Sequence, residues 1–300
     1  METLYLFNPK SAEGYASRLW KQARGIAPFL PEEPIDLTKV EDKSALIKSK
    51  KPNLVVVAGG DGSINSVCSA VLQVEPRPKI AIMPVGFGNA LAYCLGVETL
   101  EKSLRVIKDA PRVIAIDMMK TTIDLYPYAV FNMSVGFDAR IIHRRMTDRY
   151  IGMRSYVISA MRSFFEHQEN EMILTIDHSL QLRALASSLV IANAPNIGRN
   201  WMVTDSACLN DGLLDCTLFS TKFAYLTNLR LKGFKHPLFS KVGKVKFKAT
   251  HIRVEGEPLV QVDGDPATLT HSLEVSVLPS AVEVLCNENS EIDLPYLPFN

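Results

Sequence analysis

LVVVAGGDGSINSVCSAVL, residues 54–72, is the stretch whose reading decides the fold. Leu54–Ala58 is a continuous apolar run, as expected of a strand covered on both faces. Gly59, Gly60 and Gly62 interrupt it, and beyond them Ile64, Val67, Cys68, Val71 and Leu72 recur at the spacing of one helical face. The same order of strand, glycine-containing turn and helix recurs in IAIMPVGFGNALAYCL, residues 80–95, with Gly96 as the helix stop. Upstream, Thr3–Phe7 reads as a short strand ending at Asn8-Pro9; downstream, Leu100, Leu104 and Ile107 mark another helix face. This alternation implies a mostly parallel sheet with helices packed on it.

Near residue 112 the pattern changes. Val113–Met119, Ala129–Val135, Met172–Ile176, Leu180–Ile191, Leu213–Phe219, Val245–Phe247, Ile252–Val254, Leu273–Leu278 and Val282–Leu285 are strand-like, separated by turn residues such as Asp177-His178-Ser179 and Pro279-Ser280. Only Arg144–Phe165 reads as helix, one or two. Many short strands predict a β-sandwich. The expected organisation is an α/β domain over residues 1–120, a sandwich over 121–285 and an acidic, proline-containing surface tail over 286–300.

Composition narrows the function. The 300 residues are 47% apolar and 22% charged, ordinary for a globular protein with room for two cores. A net charge of +1 argues against nucleic-acid binding through whole-protein electrostatics. The five cysteines are scattered and odd in number, which fits a reducing cytosol better than a disulfide framework or structural zinc. The six histidines show no His-Glu-x-x-His spacing. The first residues do not form a signal-peptide core, and no run reaches the ~18 apolar residues of a membrane span.

Both glycine turns follow buried strands and open helices. Glycine lets backbone approach a ligand closely, and a helix N-terminus offers unpaired N–H groups and the positive end of a dipole, so the pair suits phosphate. In open α/β sheets ligands bind beyond the carboxyl ends of the strands, where both turns fall. Neither turn matches the dinucleotide or P-loop pattern.

Taken together, Asn8-Pro9-Lys10-Ser11, Gly59–Asn65, Pro84–Ala92, Gly136-Phe137-Asp138-Ala139, Asn210–Asp215 and Val262-Asp263-Gly264-Asp265 resemble, in order, the diacylglycerol kinase catalytic-domain family, which includes bacterial YegS-like and DgkB-like lipid kinases and the sphingosine kinases. The resemblance spans residues 4 to about 285. It implies a phosphofructokinase- or NAD-kinase-like nucleotide domain followed by a β-sandwich, with ATP as co-substrate, Mg²⁺ as cofactor and a lipid hydroxyl as acceptor. Carried over, it puts ATP against Asn8, Ser11, Thr38, Gly60, Asp61, Gly62, Ser63, Asn65, Gly86, Gly88 and Asn89. Asp61 would act at the reacting centre, and Asp265 would be the proton acceptor where the family has glutamate. Asp138 would recognise the lipid head. Asp211, with the carbonyls of Cys208 and Leu213, would hold a structural Mg²⁺. The implied setting is cytoplasmic and peripheral to an anionic membrane.

The chain departs from the family at Phe87, where a hydroxyl residue is usual, and at Ala12, Ser66 and Ala90. Two other readings stay open at this point: an NAD-kinase-like soluble phosphotransferase, and a catalytically silent lipid- or nucleotide-binding module. Arg149 and Arg154 are candidates for phosphate contact. Lys232, Lys235, Lys241, Lys244, Lys246 and Lys248 are candidates for a basic docking face; on a strand, Lys244, Lys246 and Lys248 would share one side. Alternatively they guard a strand edge against unwanted pairing.

Overall fold

The computed structural model describes residues 2–147, 153–198, 201–204, 206–231, 243–269, 271–288 and 290. The chain divides into two compact units, one of Met1–Asp117 with Ser280–Asp293 and the other centred on Met118–Pro279. The expected α/β-plus-sandwich fold is present, but the chain from Ser280 returns to the first unit. The sequence places it in the sandwich and a surface tail.

In the first unit the elements are β1 (Thr3–Phe7), α1 (Ala16–Ile26), β2 (Ile35–Asp36), α2 (Lys43–Lys50), β3 (Leu54–Gly59), α3 (Asp61–Val71), β4 (Lys79–Pro84), α4 (Ala90–Cys94) and α5 (Leu100–Asp109). β5 (Arg112–Thr121) leaves this unit. In the second are β6 (Tyr128–Ala129), β7 (Asn132–Gly136), α6 (Phe137–Thr147), α7 (Met153–Glu166), β8 (Asn170–Ile176), β9 (Leu180–Ala186), β10 (Ser188–Ala192), β11 (Asn196–Gly198), β12 (Trp201–Met202), β13 (Leu214–Phe219), α8 (Lys222–Asn228), β14 (Arg230–Leu231), β15 (Lys244–Ala249), β16 (His251–Glu255), β17 (Leu259–Val262) and β18 (Asp265–Thr268). The last strand, β19 (Ser272–Cys286), leads back.

The first unit is a parallel sheet in the order β2-β1-β3-β4-β19, where β19 pairs at Val284 with Ile80. β3 is buried along its whole length, as its unbroken apolar run requires. Leaving β1, the chain goes first to β2 on one side and then to β3 on the other, so the sheet has a switch point between β1 and β3.

In the second unit, β15-β13-β10-β7-β17-β18 form one sheet and the first half of β19 with β16, β8 and β9 another. Met133, Val135, Leu189 and Ile191 from the first pack against Met172, Leu174, Ile252, Val254, Leu273 and Val275 from the second, so a sandwich core is closed. The opposite face of β10, at Val190 and Ala192, meets Phe137 and Ile141 of α6 and Tyr225 of α8. That explains why β7 and β10 show no alternation: both faces are covered.

Three expectations are corrected. Leu180–Ile191 is two strands in different sheets, broken at Ser187. Pro279-Ser280 is no turn: β19 runs through it, Ser280 taking φ of 49° while its N–H donates to Asp117 Oδ1 (2.7 Å). The helical region starts at Phe137 and is two helices. Asp263-Gly264 does form the two-residue turn between β17 and β18, both residues having φ above zero as a type I′ turn needs. Yet Asp263 is more than a turn residue. Its carboxylate is buried and accepts the N–H groups of Val130 (2.7 Å), Phe131 (3.0 Å) and Asn132 (3.0 Å), fixing the break between β6 and β7.

Asp263→Ala would strand three amides in the interior at about 1–3 kcal/mol each. It is expected to cost roughly 3–5 kcal/mol or prevent folding. Urea unfolding checks this, and a midpoint like the parent's would refute it.

Candidate active site

The carboxyl ends of β1, β3 and β4 bring their following turns together. Asn8, just past β1, donates its Nδ2 to Ser63 Oγ (2.8 Å), and Ser11 Oγ accepts the Gly60 N–H (3.3 Å). The turn after β4 lies against the turn after β3: Val85 N–H donates to Gly59 O (3.2 Å), and a Cβ on Gly86 would stand 2.3 Å from Gly60 Cα. Asn89 sits in the left-handed region, which asparagine tolerates, and closes its own turn through Gly86 N–H to Oδ1 (3.0 Å) and Nδ2–H to Gly86 O (2.9 Å). Asn8, Ser11, Gly60, Asp61, Ser63, Gly86, Gly88 and Asn89 are thus brought together around these three turns. Gly62 is exposed in the first turn of α3, and Gly60 provides no side-chain cap there.

Two predicted members stand differently. Thr38 spends its N–H and hydroxyl on Asp36 Oδ1 (2.9 and 2.7 Å), capping a single turn after β2. Asn65 is buried within α3, its Oδ1 accepting the Ser69 hydroxyl (2.9 Å). Phe87 projects outward, 37% exposed. Arg149 and the side chain of Arg154 lie outside the described residues.

Asp61 is the first residue of α3, and its carboxyl is enclosed. Burial raises its pKa to about 6, against which the backbone amides of Ala90, Leu91 and Asn89 at the start of α4 work. Oδ2 is packed so close to Gly88 that a Cβ there would fall 2.7 Å away. Oδ1 is shut off from solvent without a hydrogen-bond partner. One enclosed carboxylate oxygen left unpaired beside phosphate-seeking amides fits a Mg²⁺ arriving with a nucleotide, since that ion takes few protein ligands and completes its shell from phosphate and water.

In the second unit Asp265 opens β18, part-buried; burial raises its pKa and the Arg145 charge opposes the rise. Asp138, expected from the resemblance to recognise the lipid head, has its carboxyl among side-chain donors. It lies in the first turn of α6, buried, and accepts the hydroxyls of Ser134 and Tyr225 and the Gln261 amide (3.4 Å). Burial pushes its pKa up while these donors resist.

The Asp211 position does not fit a metal. Its Oδ1 accepts the Leu213 N–H (3.1 Å) and its Oδ2 the Lys248 ammonium (2.6 Å), while Cys208 Sγ turns to Asn210 Oδ1 (3.1 Å). Among the described residues no group of three or more His, Cys, Asp or Glu could hold an ion. Of the candidate basic face, Lys246 is exposed. Lys248 is paired internally and Lys244 bonds Asn228, on a strand that is the edge of its sheet. Lys232, Lys235 and Lys241 lie outside the described residues. The clamp made by Asp263 and the internal ion pairs of Lys248 were not legible in the sequence, because their partners are remote in the chain.

Comparison with known proteins agrees with this geometry. The sequence profile of the diacylglycerol kinase catalytic domain matches residues 2–121, and that of the YegS C-terminal NAD kinase beta sandwich-like domain matches 132–286. The chain is 30% identical over 172 residues to the probable lipid kinase YegS of Shigella flexneri, covering 55% of this chain and 56% of that one. It is 27% identical over 240 residues to the probable YegS-like lipid kinase of Pectobacterium atrosepticum, covering 77% of each. A diacylglycerol kinase structure from Bacillus anthracis str. Sterne superposes with TM-score 0.71 at 20% identity, covering 96% of this chain and 98% of that one. An NAD kinase from Archaeoglobus fulgidus in complex with ATP gives 0.51 at 12%, covering 97% and 96%. At these identities the two structures speak for the fold.

Gly86→Ala is expected to force the two turns apart and lower stability by roughly 1–3 kcal/mol, as overpacking does. Gly25→Ala in α1, where an added Cβ meets nothing within 4 Å, should instead be neutral or stabilising. Parallel thermal melts of the two variants test the contrast, which equal melts would refute.

Proposed function

Because the chain belongs to the diacylglycerol kinase catalytic-domain family and is a lipid kinase, we propose that it moves the γ-phosphate of ATP onto a lipid hydroxyl of diacylglycerol, phosphatidylglycerol or sphingoid-base type, met from the water side of a membrane. The observation that carries this reading is the meeting of the three post-strand turns at the switch point, with Asp61 enclosed among them. Among the described residues no helix is long and apolar enough to cross a membrane.

Phosphoryl transfer needs positioning and charge neutralisation more than covalent chemistry. The uncapped amides of α3 and the exposed Gly62 backbone suit the phosphates. Asn8 and Ser11 brace the turn, and Asn89 holds the Gly86 loop in the shape that lets it approach Gly60. Mg²⁺ bound with the nucleotide would neutralise phosphate charge, and Asp61 Oδ1 is the oxygen this chain offers it. Asp265 takes the acceptor proton in this reading; a carboxylate whose pKa burial has raised is a stronger base than a free one.

The direct test gives the protein labelled ATP and a mixed lipid extract and identifies the labelled product by mass. A lipid-soluble phosphate product is expected; its absence under every lipid supplied overturns the reading.

Asp61→Asn should lose on the order of 100- to 10,000-fold in turnover. Its fold should survive. The folded pKa of about 6 is raised, so the protonated form is favoured, and that contribution disappears as pH rises through about 6. Above that pH the parent bears the cost of an enclosed charge that Asn lacks, so the variant should melt no lower than the parent at pH 8. In the parent, kcat/KM should climb with pH on a limb near 6; a limb unchanged in the variant would count against Asp61.

Asp265→Ala should remove most activity, whereas Asp265→Glu, one methylene longer, should retain or raise it. Full activity in Asp265→Ala would move the base elsewhere.

A further inference from the structure

We propose that the Lys248 ammonium occupies the role of a divalent ion in the second unit, so that the loop through Asp211 is held by an internal ion pair and the sandwich takes no structural metal. Three of the four oxygens of two neighbouring acids accept hydrogen bonds, and the fourth, Asp215 Oδ2, faces the ammonium as an ion pair. Lys248 Nζ lies 2.6 Å from Asp211 Oδ2 and 3.2 Å from Asp215 Oδ2. Asp211 Oδ1 takes the Leu213 N–H, and Asp215 Oδ1 takes the Ser206 hydroxyl (2.7 Å). A Mg²⁺ ion demands oxygens at 2.0–2.1 Å in near-octahedral array. At Asp211 it would have to expel the ammonium or share its place, and two cations that close repel each other.

Strand register delivers the lysine. β15 pairs antiparallel with β13, and Lys248 stands directly opposite Asp215. An opposite-charge pair across two strands is a stabilising arrangement in its own right. Here one partner is nearly inaccessible: the Asp215 side chain is 3% exposed, so its charge needs a nearby cation. From that anchored position the ammonium also reaches Asp211, tying the loop before β13 to the edge strand. A lysine ammonium is charged through the neutral range, as a substitute for a metal must be. The inference is independent of which lipid is phosphorylated, and of whether any is.

The test uses the full chain without nucleotide, melted in MgCl₂ and in EDTA. The parent should melt at the same temperature in both. Lys248→Met, which keeps the stem and removes the charge, should melt roughly 3–8 °C lower in EDTA. It should recover at least half of that loss in Mg²⁺, Mn²⁺ or Ca²⁺, because Asp211 and Asp215 then lack a cation; Lys248→Arg should stay indifferent to metal. A parent that melts higher in Mg²⁺, with the gain abolished by Asp211→Asn, overturns the proposal. So does a Lys248→Met variant that melts like the parent in EDTA, or one that gains nothing from any of the three ions.

Discussion

The close approach of Gly60 to Gly86 is the constraint on which the candidate site rests. No side chain larger than hydrogen fits at Gly86, where a Cβ would lie 2.3 Å from the neighbouring Cα. The contact seats the turn after β4 beside the turn after β3. That in turn puts the start of α4 over Asp61 and lets Gly88 crowd its Oδ2. The glycines therefore answer two demands at once, access for a ligand and access for each other. Either alone could explain them; the distances show the second directly.

The protein treats the enclosed carboxyls of Asp263, Asp138 and Asp61 differently. Asp263 is satisfied by three amides and acts as a structural clamp. Asp138 is satisfied by Ser134, Tyr225 and Gln261 and belongs to the framework behind α6. Asp61 alone among these three keeps an oxygen without a partner. Enclosing a carboxylate is costly unless its oxygens are matched; Asp215 Oδ2 also lacks a hydrogen bond but has the Lys248 ammonium at 3.2 Å, whereas Asp61 Oδ1 lies beside turns suited to phosphate. Hydrogen-bond completeness separates these roles where the residue type could not.

What was legible in the sequence was local. The apolar run at 54–58, the helical spacing after it and the glycines between them announced a strand, a turn and a helix, and the structure has them in place. What was not legible depends on partners far along the chain. Leu180–Ile191 contains no glycine, proline or other strong turn residue, so nothing in it announces that Ser187 separates strands of two sheets. Pro279-Ser280 carries turn chemistry, yet Asp117 holds the Ser280 amide and the strand continues. Asp211 matched a metal-site motif, and only the register of β15 on β13 reveals that Lys248 already fills the place. Asp138 likewise looked available until its three donors were located.

The return of β19 to the parallel sheet has a practical bearing on dissection of this protein. A fragment ending near residue 121, where the catalytic-domain profile stops, would lack the strand that pairs with β4. Arg77 would lose its bond to Ala281 O, and Asn287 would no longer bind Leu95 and Gly96. Ile80 and its neighbours would then line an open, apolar sheet edge, the kind of surface that recruits another copy and precipitates. The first unit is built from two stretches far apart in the chain, and expression of either stretch alone is a poor way to obtain it.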